Sequence, residues 1–204
     1  MKISSHAWPF VAIAVALTLV AGAFVHPLAT IPPLLFLVFT LWFFRDPERD
    51  VPQSDGIIVS PADGTVIRAR PNRVSIFMSV LSVHICRAPA AGRVVRVTHH
   101  RGSFLAAWKD EASEHNERVE VVLDIGGQEL TFTLVAGLVA RRILPFIKEG
   151  QQLERGERVG LIRFGSRVDI DLPAGWNADV AIKQGMTSGE TLLARRKGGD
   201  ADEG

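Results

Sequence analysis

A long stretch near the start of the chain carries no charged side chain, and this restricts what that part can fold into. Between Lys2 and Arg45 the sequence contains no Asp, Glu, Lys or Arg. Within this stretch, Ala7 to Val25 is an apolar run close to the ~20 residues that a membrane-spanning helix requires. The sequence therefore predicts a hydrophobic membrane anchor of one or two helices over residues 1–44.

The sequence leaves the geometry of this anchor open. His26-Pro27 ends the first apolar run, and Leu34 to Phe44 is apolar but short, so it either spans after an earlier start or lies in the interface. A cleaved signal peptide is the alternative, but the first run is long for a signal core and a second apolar stretch follows directly. If two helices form a hairpin, both ends lie on one side of the membrane. Lys2, Arg45 and Arg49 then favour the cytoplasmic side of the inner (cell) membrane.

After a polar, proline-containing linker over residues 45–55, the pattern changes to that of a β domain over residues 56–194. Residues 119–125 alternate apolar and other side chains, and Gly126-Gly127 then precedes a second β-like run at residues 129–135, which predicts a hairpin. Many short strands with glycine turns imply a mainly β domain, a sandwich or barrel. Lys148-Glu149-Gly150 with Glu154-Arg155-Gly156 resembles the turn of a lipoyl-type β domain, so lipoyl-like elements are expected. Further strands are predicted at Val74–Met78, Gly92–His99, Val159–Phe164, Val168–Leu172 and Ala178–Lys183, and a short helix or ordered loop at Ser103–Glu114.

Composition excludes some classes of protein and some roles. Lys and Arg number 23 against 22 Asp and Glu, so the charge balance does not point to nucleic acid. Cys86 is the single cysteine and cannot form an internal disulfide, and we expect it to be a small buried residue. No spacing of histidine and cysteine resembles a zinc site, so no metal is predicted. Residues 195–204 are charged and glycine-rich, which predicts a disordered tail.

The dipeptide Gly165-Ser166 suggests a specific reaction. The serine hydroxyl can add to the preceding glycine carbonyl, where no side chain blocks the way and strained backbone angles are tolerated. The resulting ester then undergoes β-elimination, which cuts the chain and leaves a dehydroalanine that hydrolyses to a pyruvoyl group at residue 166. Most Gly-Ser pairs are simply turns, so the surrounding sequence decides between the two interpretations.

That surrounding sequence contains five ordered stretches that cover most of residues 55–172. On these stretches the chain resembles the phosphatidylserine decarboxylase family in its short bacterial and archaeal form. The stretches are Ser60-Pro61-Ala62-Asp63-Gly64, Ser82-Val83-His84-Ile85-Cys86-Arg87-Ala88-Pro89, Ala112-Ser113-Glu114-His115-Asn116-Glu117-Arg118, Val135-Ala136-Gly137-Leu138-Val139-Ala140-Arg141-Arg142 and Gly160-Leu161-Ile162-Arg163-Phe164-Gly165-Ser166-Arg167-Val168-Asp169.

The resemblance implies an enzyme of phospholipid biosynthesis. It would decarboxylate phosphatidylserine in the bilayer to phosphatidylethanolamine, through a Schiff base to the pyruvoyl group at residue 166. It would be made as a self-cleaving proenzyme, with a large chain of residues 1–165 that stays with a small chain of residues 166–204. The pyruvoyl group would replace pyridoxal phosphate, so no separate cofactor is expected, and the oligomeric state, a homo-oligomer included, is left open.

The resemblance also implies roles for three residues. Ser166 would be the attacking hydroxyl and His84 its base, because a serine hydroxyl is a weak nucleophile without a neighbouring imidazole. Asp63 would orient and charge-stabilise that imidazole, as in a serine–histidine–aspartate triad. His84 is expected to end a β run at Ser79–Val83. Longer members of the family carry a second histidine where this chain has Arg87, so His84 would serve both self-cleavage and decarboxylation, or Arg87 would take part of the work.

Arginines near the matched stretches are candidates for binding the phosphate diester of the lipid, because a guanidinium offers two parallel donors to phosphate. The sequence does not choose among them. The candidates are Arg87, Arg141 and Arg142, with Arg163 and Arg167 beside the cleavage motif.

Two other functions remain open from the sequence. One is a non-catalytic, membrane-anchored, lipoyl-like module that binds a partner, which predicts an intact chain. The other is an anchored serine peptidase using Ser166, His84 and Asp63, which predicts an unmodified Ser166 hydroxyl.

Overall fold

The computed structural model describes residues 2–103, 107–108, 115–137, 142–163 and 165–197. The chain divides into two compact units, Met1–Glu48 and Arg49–Gly204.

The first unit is a pair of apolar helices whose ends are joined by a short strand pair. Lys2–Ile3 and Arg45–Asp46 pair in antiparallel fashion, and the rings of Phe10 and Phe44 stack with their centroids 5.5 Å apart. The two ends of this unit therefore lie together. Its elements are β1 (Lys2–Ile3), a 3-10 turn (Ser5–Ala7), α1 (Trp8–Phe24), a second 3-10 turn (Pro27–Thr30), α2 (Ile31–Phe43) and β2 (Arg45–Asp46).

Most large side chains of these helices face outward. Trp8, Leu19, Phe24 and Leu35 are each more than half exposed, although they are apolar. Ser5–Phe24, with 20 residues, is the one helix among the described residues that is long and apolar enough to cross a membrane, and Pro27–Phe43 is shorter.

The second unit is built from antiparallel strands. Its strands are β3 (Ile57–Val59), β4 (Gly64–Arg70), β5 (Arg73–Met78), β6 (Ile85–Arg87), β7 (Gly92–His100), β8 (Arg118–Asp124), β9 (Glu129–Val135), β10 (Ile143–Pro145), β11 (Gln152–Leu153), β12 (Arg158–Ile162), β13 (Ser166–Asp171), β14 (Trp176–Ala178), β15 (Gly185–Met186) and β16 (Leu192–Arg196).

These strands form one large sheet and two small ones. The large sheet has the order β11-β7-β8-β9-β13-β5-β4-β15, and the small sheets have the orders β10-β12-β6 and β14-β16-β3. Strand β13 therefore lies inside the large sheet, with β9 on one side and β5 on the other. The predicted fold class, a mainly β domain behind an apolar helical N-terminus, is confirmed.

The predicted hairpin is β8–β9, and its turn explains the two glycines. Gly126 and Gly127 have φ values of +78° and +85°, a region that side chains disfavour. Asp124 accepts a hydrogen bond from the backbone of Gly127 at 2.6 Å. Alternate side chains of both strands enter the core, where Val121 and Phe132 are fully or almost fully buried.

Two predicted strands are wrong because local turns replace them. In Ala178–Lys183 only Ala178 belongs to a strand, and Lys183 has a φ of +72°, which a strand does not allow. The run Ser79–Val83 is a turn, in which the Ser79 carbonyl and hydroxyl accept hydrogen bonds from the backbones of Ser82 and Leu81. His84 therefore precedes a strand instead of ending one.

Two predicted boundaries also differ from the structure. Arg45 and Asp46 are not linker, because they pair with β1. Arg195 and Arg196 are not a disordered tail, because they belong to β16 and pair with β14. The rest of that tail from residue 198, most of the predicted element at Ser103–Glu114, and Phe164 lie outside the described residues.

Candidate active site

Ser166 is the first residue of a central strand and is fully buried. It lies opposite Met78 of β5, and its hydroxyl donates to the Met78 sulfur over 3.4 Å. Thioether sulfur is a weak acceptor, so this contact holds the hydroxyl only loosely. Gly165, immediately before the strand, has a φ of +60°, and a side chain there would meet no atom within 4 Å. The backbone thus turns sharply at the bond that self-cleavage would break.

His84 is also fully buried, at the start of β6. Its Nδ1 lies 2.9 Å from the carbonyl oxygen of Ser82, a distance that places the ring proton on Nδ1 and makes Nε2 the basic nitrogen. The backbone N–H of Ile162 donates to the His84 carbonyl over 3.2 Å. Because Ile162 is four residues before Ser166, the β6–β12 pairing brings His84 to the segment that leads into the cleavage site.

Asp63 lies in the turn between β3 and β4 and is held by a cation. Arg49 Nη2 donates to both carboxylate oxygens of Asp63, at 2.9 and 2.8 Å, and the two side chains are only 10% and 17% exposed. The backbone N–H of Ser188 donates to the same carboxylate over 2.7 Å. The hydrogen bonds of Asp63 therefore go to Arg49 and Ser188 and not to His84, and the predicted triad of Asp63, His84 and Ser166 stays a prediction.

Cys86 lies on β6, the strand that follows His84. It is fully buried, in agreement with the prediction from the sequence. Burial raises the pKa of the Cys86 thiol, and the negative charge of Asp63 raises it further. The backbone N–H of Arg87 donates to the Pro61 carbonyl over 2.9 Å, which brings the turn that carries Asp63 to β6, the strand that follows His84.

The arginine candidates fall into two groups. Arg87 and Arg167 are buried: Arg87 Nη1 donates to the Gly156 carbonyl over 2.9 Å, and Arg167 forms an ion pair with Asp169. Arg142 is exposed, and its carbonyl accepts a weak hydrogen bond from the Arg163 backbone over 3.4 Å. Arg141 lies outside the described residues.

The side chains of Arg142 and Arg163 are electrostatically coupled. Partial burial lowers the pKa of Arg163, and the positive charge of Arg142 lowers it further. Arg163 lies two residues before Gly165, and its backbone hydrogen bond to the Arg142 carbonyl sets the two arginines on adjacent segments.

Sequence reasoning missed Arg49, Ser188 and Met78 as neighbours of the candidate site. The sequence predicts Arg49 to be a charge beside the membrane, and nothing in its local sequence links it to a carboxylate 14 positions later. Met78 was placed correctly on a strand, but its partner on β13 follows only from the register of the sheet.

Comparison with known proteins gives one consistent family. The family model for phosphatidylserine decarboxylase matches residues 36–73 and 67–194. Three relatives each carry the name phosphatidylserine decarboxylase proenzyme. That of Paramagnetospirillum magneticum is 44% identical over 207 residues, which cover 94% of this chain and 86% of the relative. That of Chlorobium phaeovibrioides is 44% identical over 171 residues, 79% of this chain and 78% of the relative. That of Streptomyces griseus is 48% identical over 170 residues, 81% and 78%.

Proposed function

This chain belongs to the phosphatidylserine decarboxylase family, and on that premise we propose that it converts phosphatidylserine to phosphatidylethanolamine with a pyruvoyl group made from Ser166. The enzyme would be made as a proenzyme, cut between Gly165 and Ser166, and would act in phospholipid biosynthesis.

One observation carries this proposal: the backbone turns at Gly165, with a φ of +60°, directly before a buried serine at the first position of β13. Breaking the bond between them leaves the pairing of Arg167–Asp171 with β5 and β9 in place. The small chain also supplies β15 to the large sheet and β14 and β16 to a small one. The two chains should therefore stay together after the cut, and the residues present fit a pyruvoyl group at this position.

Self-cleavage would begin at the Ser166 hydroxyl. Its oxygen adds to the Gly165 carbonyl carbon while its proton passes to a base, for which we propose Nε2 of His84. The carbon–nitrogen bond then breaks, the nitrogen takes a proton, and an ester remains. Loss of the Ser166 α-proton breaks the bond between its Cβ and oxygen, which leaves Gly165 as a carboxylate. Water finally replaces the nitrogen of residue 166 and releases ammonia.

The pyruvoyl carbonyl supplies an electrophile for the serine amine of the lipid and an acceptor for the electron pair released with CO₂. The chain itself must hold the lipid headgroup and return a proton to its α-carbon. We assign the proton to His84, because an imidazole can both take up and return a proton, and the His84 backbone is hydrogen-bonded to the segment that leads to Ser166.

We assign the phosphate diester to Arg142 and Arg163. Both lie next to the cleavage motif, and each carries a positive charge that the other opposes. Arg87 and Arg167 are poorer candidates for this contact, because both are buried and engaged with Gly156 and Asp169 respectively.

The apolar helices of the first unit would hold the enzyme at its bilayer substrate. Because β1 pairs with β2, both ends of the helix pair would lie on one side of the membrane. We propose the cytoplasmic side of the inner membrane. The charge of Arg49 adds little to that assignment, since Asp63 neutralises it, and Lys2 and Arg45 remain to support it.

Denaturing mass measurement of the purified protein tests the proposed function. We expect two chains, the smaller beginning with a pyruvoyl group that hydroxylamine traps, and release of CO₂ from phosphatidylserine vesicles. Ser166→Ala should stay uncut near 22.3 kDa and be inactive, whereas the exposed-site control Ser54→Ala should behave as wild type. An active wild-type chain that is uncut and has no trappable carbonyl would refute the proposal, and labelling of Ser166 by phosphonates would favour the peptidase.

Kinetics test the phosphate site separately. We expect Arg142→Gln and Arg163→Gln to raise the KM for phosphatidylserine about tenfold with little change in kcat, the result for loss of one charge-assisted contact. Arg70→Gln is the control, because Arg70 is exposed and lies far from Ser166. Arg70 of β4 is opposite Arg73 at one end of β5, whereas Ser166 is opposite Met78 at the other end of β5. An unchanged KM in both variants would rule out this assignment.

A further inference from the structure

We infer that Gly137 positions the carbonyl group that Ser166 attacks, and that Asn116 holds Gly137 in place. This inference rests on the proposed self-cleavage and adds two positioning residues to it. Both residues occur in stretches that the sequence analysis matched to the family without assigning them a role.

The register of the large sheet brings Gly137 to the cleavage site. Strand β9 ends at Val135, which lies opposite Arg167 of β13. Because the two strands are antiparallel, continuing the register by two positions sets Gly137 opposite Gly165. The second residue after the end of β9 thus meets the residue directly before the start of β13.

At this position only a glycine fits. A β-carbon built on Gly137 would overlap the carbonyl oxygen of Gly165 and lie 2.9 Å from its carbonyl carbon. It would also lie 3.2 Å from the Ala107 side chain. The backbone of Gly137 therefore packs directly on the carbonyl of the bond to be cut. A β-carbon built on Gly165 would meet no atom within 4 Å, so the close contact involves the Gly165 carbonyl and not its side-chain position.

Asn116 fixes the backbone that carries Gly137. Its side chain is fully buried, and its amide Nδ2 donates to the carbonyl of Ala136 over 2.7 Å. The N–H of Ala136 in turn donates to the carbonyl of Glu117 over 2.9 Å. Both hydrogen-bonding groups of Ala136 are thus held by neighbouring residues of one segment, which leaves little freedom for Gly137.

This packing matters for the first step of self-cleavage. When the Ser166 oxygen adds to the Gly165 carbon, that carbon becomes tetrahedral and its oxygen gains negative charge. The orientation of the carbonyl decides whether the hydroxyl can reach the carbon, and a fixed orientation removes much of the entropic barrier. After the cut the same carbon belongs to the carboxylate of the large chain. The role of Gly137 therefore ends before decarboxylation begins.

The test is the rate of cutting of newly made full-length chain, followed on denaturing gels. We expect Gly137→Ala to slow cutting on the order of a hundredfold, as a misplaced reacting group does. Asn116→Asp, which keeps the size of the side chain but loses the Nδ2 donor, should also slow it. Any pyruvoyl-bearing molecules that do form should retain wild-type activity per pyruvoyl group.

Two glycine controls separate this role from general damage to the fold. Gly185→Ala adds a methyl group in open space and should cut at the wild-type rate. Gly92→Ala adds one against the Asp124 carbonyl, a comparable collision in the β7–β8 pair, and should lower the melting temperature without slowing cutting of the folded chain. Melting temperatures are compared in a Ser166→Ala background, where every chain is uncut.

The inference is overturned if folded Gly137→Ala and Asn116→Asp cut at the wild-type rate. It is also overturned if Gly92→Ala slows cutting as much as Gly137→Ala does at equal loss of melting temperature. Either result leaves the proposed function standing, provided that the wild type is cut. A wild-type chain that is active but never cut refutes the proposed function instead.

Discussion

The buried ion pair next to the cleavage site gives the sharpest stability prediction. Arg167 and Asp169 lie two positions apart on β13, with Nε to Oδ1 at 3.0 Å, Nη2 to Oδ2 at 3.2 Å, and side-chain exposures of 0% and 5%. Burial lowers the pKa of Arg167, and the charge of Asp169 opposes that shift. Arg167 also donates to the Ala107 carbonyl over 2.9 Å. Removing either charge therefore leaves the other one buried without its partner, in an interior that solvates charge poorly.

We expect Arg167→Met to lower the free energy of unfolding by about 3–5 kcal/mol, the cost of breaking a buried pair from one side. For a unit of this size this corresponds to a drop in melting temperature of roughly 6–20 °C. The double variant Arg167→Met with Asp169→Leu should recover most of that loss, since it removes both charges. Unfolding is followed by tryptophan fluorescence in detergent, in a Ser166→Ala background that keeps the chain in one piece.

An exposed ion pair between β5 and β13 is the matched control. Arg73 forks onto Asp171 in the same way, but the two side chains are 48% and 34% exposed. Arg73→Met should therefore cost less than about 1 kcal/mol. If Arg167→Met is no more damaging than Arg73→Met, or if the double variant is no more stable than the single one, burial does not set the cost of this pair and the reasoning is wrong.

Three further predictions concern the rest of the β domain, all in the uncut Ser166→Ala background. Phe132→Ala should cost about 3–5 kcal/mol in unfolding free energy, since the ring is fully buried; a loss below 1 kcal/mol in a urea titration would contradict the core described here. The folded protein keeps the proton of the Cys86 thiol, whereas the unfolded chain releases it near the ordinary pKa of 9.0. The free energy of unfolding should therefore be constant below pH 9 and fall by up to about 1.4 kcal/mol per pH unit above it. Cys86→Ala should flatten that decline, and an equal decline in both proteins would rule out the thiol as its source. Arg49→Gln should cost about 1–3 kcal/mol and Arg49→Lys less, because lysine keeps a positive charge opposite Asp63 and glutamine does not. Equal melting temperatures for both variants and their parent would show that this contact contributes nothing.

Local pattern was enough to predict the longer elements of the fold. The alternation over residues 119–125 and the glycine pair after it predict β8 and β9, because both the period and the turn are set by neighbouring residues. Strands of two residues, such as β11 and β15, carry no period at all and exist only because a distant strand lies beside them. The run at Ser79–Val83 was misinterpreted because a serine hydroxyl competed for the backbone donors.

In the candidate site too, features of adjacent residues could be predicted from the sequence, and contacts between distant segments could not. The chemistry of Gly165-Ser166 is contained in two adjacent residues, so the sequence was sufficient to suggest it. The contacts of Arg49 with Asp63, and of Gly137 with the Gly165 carbonyl, depend on pairings between segments far apart in the chain. Such contacts have no local signature, and a single sequence offers no means of finding them.

The position of Ser166 at the head of a strand with neighbours on both sides has a consequence for when the protein gains activity. Residues 73–78 come from well before that strand and residues 131–135 from nearer to it, and both flanks must dock before the serine stands opposite Met78. A half-assembled polypeptide would lack the geometry for the proposed cut and would stay inert. Only chains that have folded completely would then cut themselves and become active, without a separate protease.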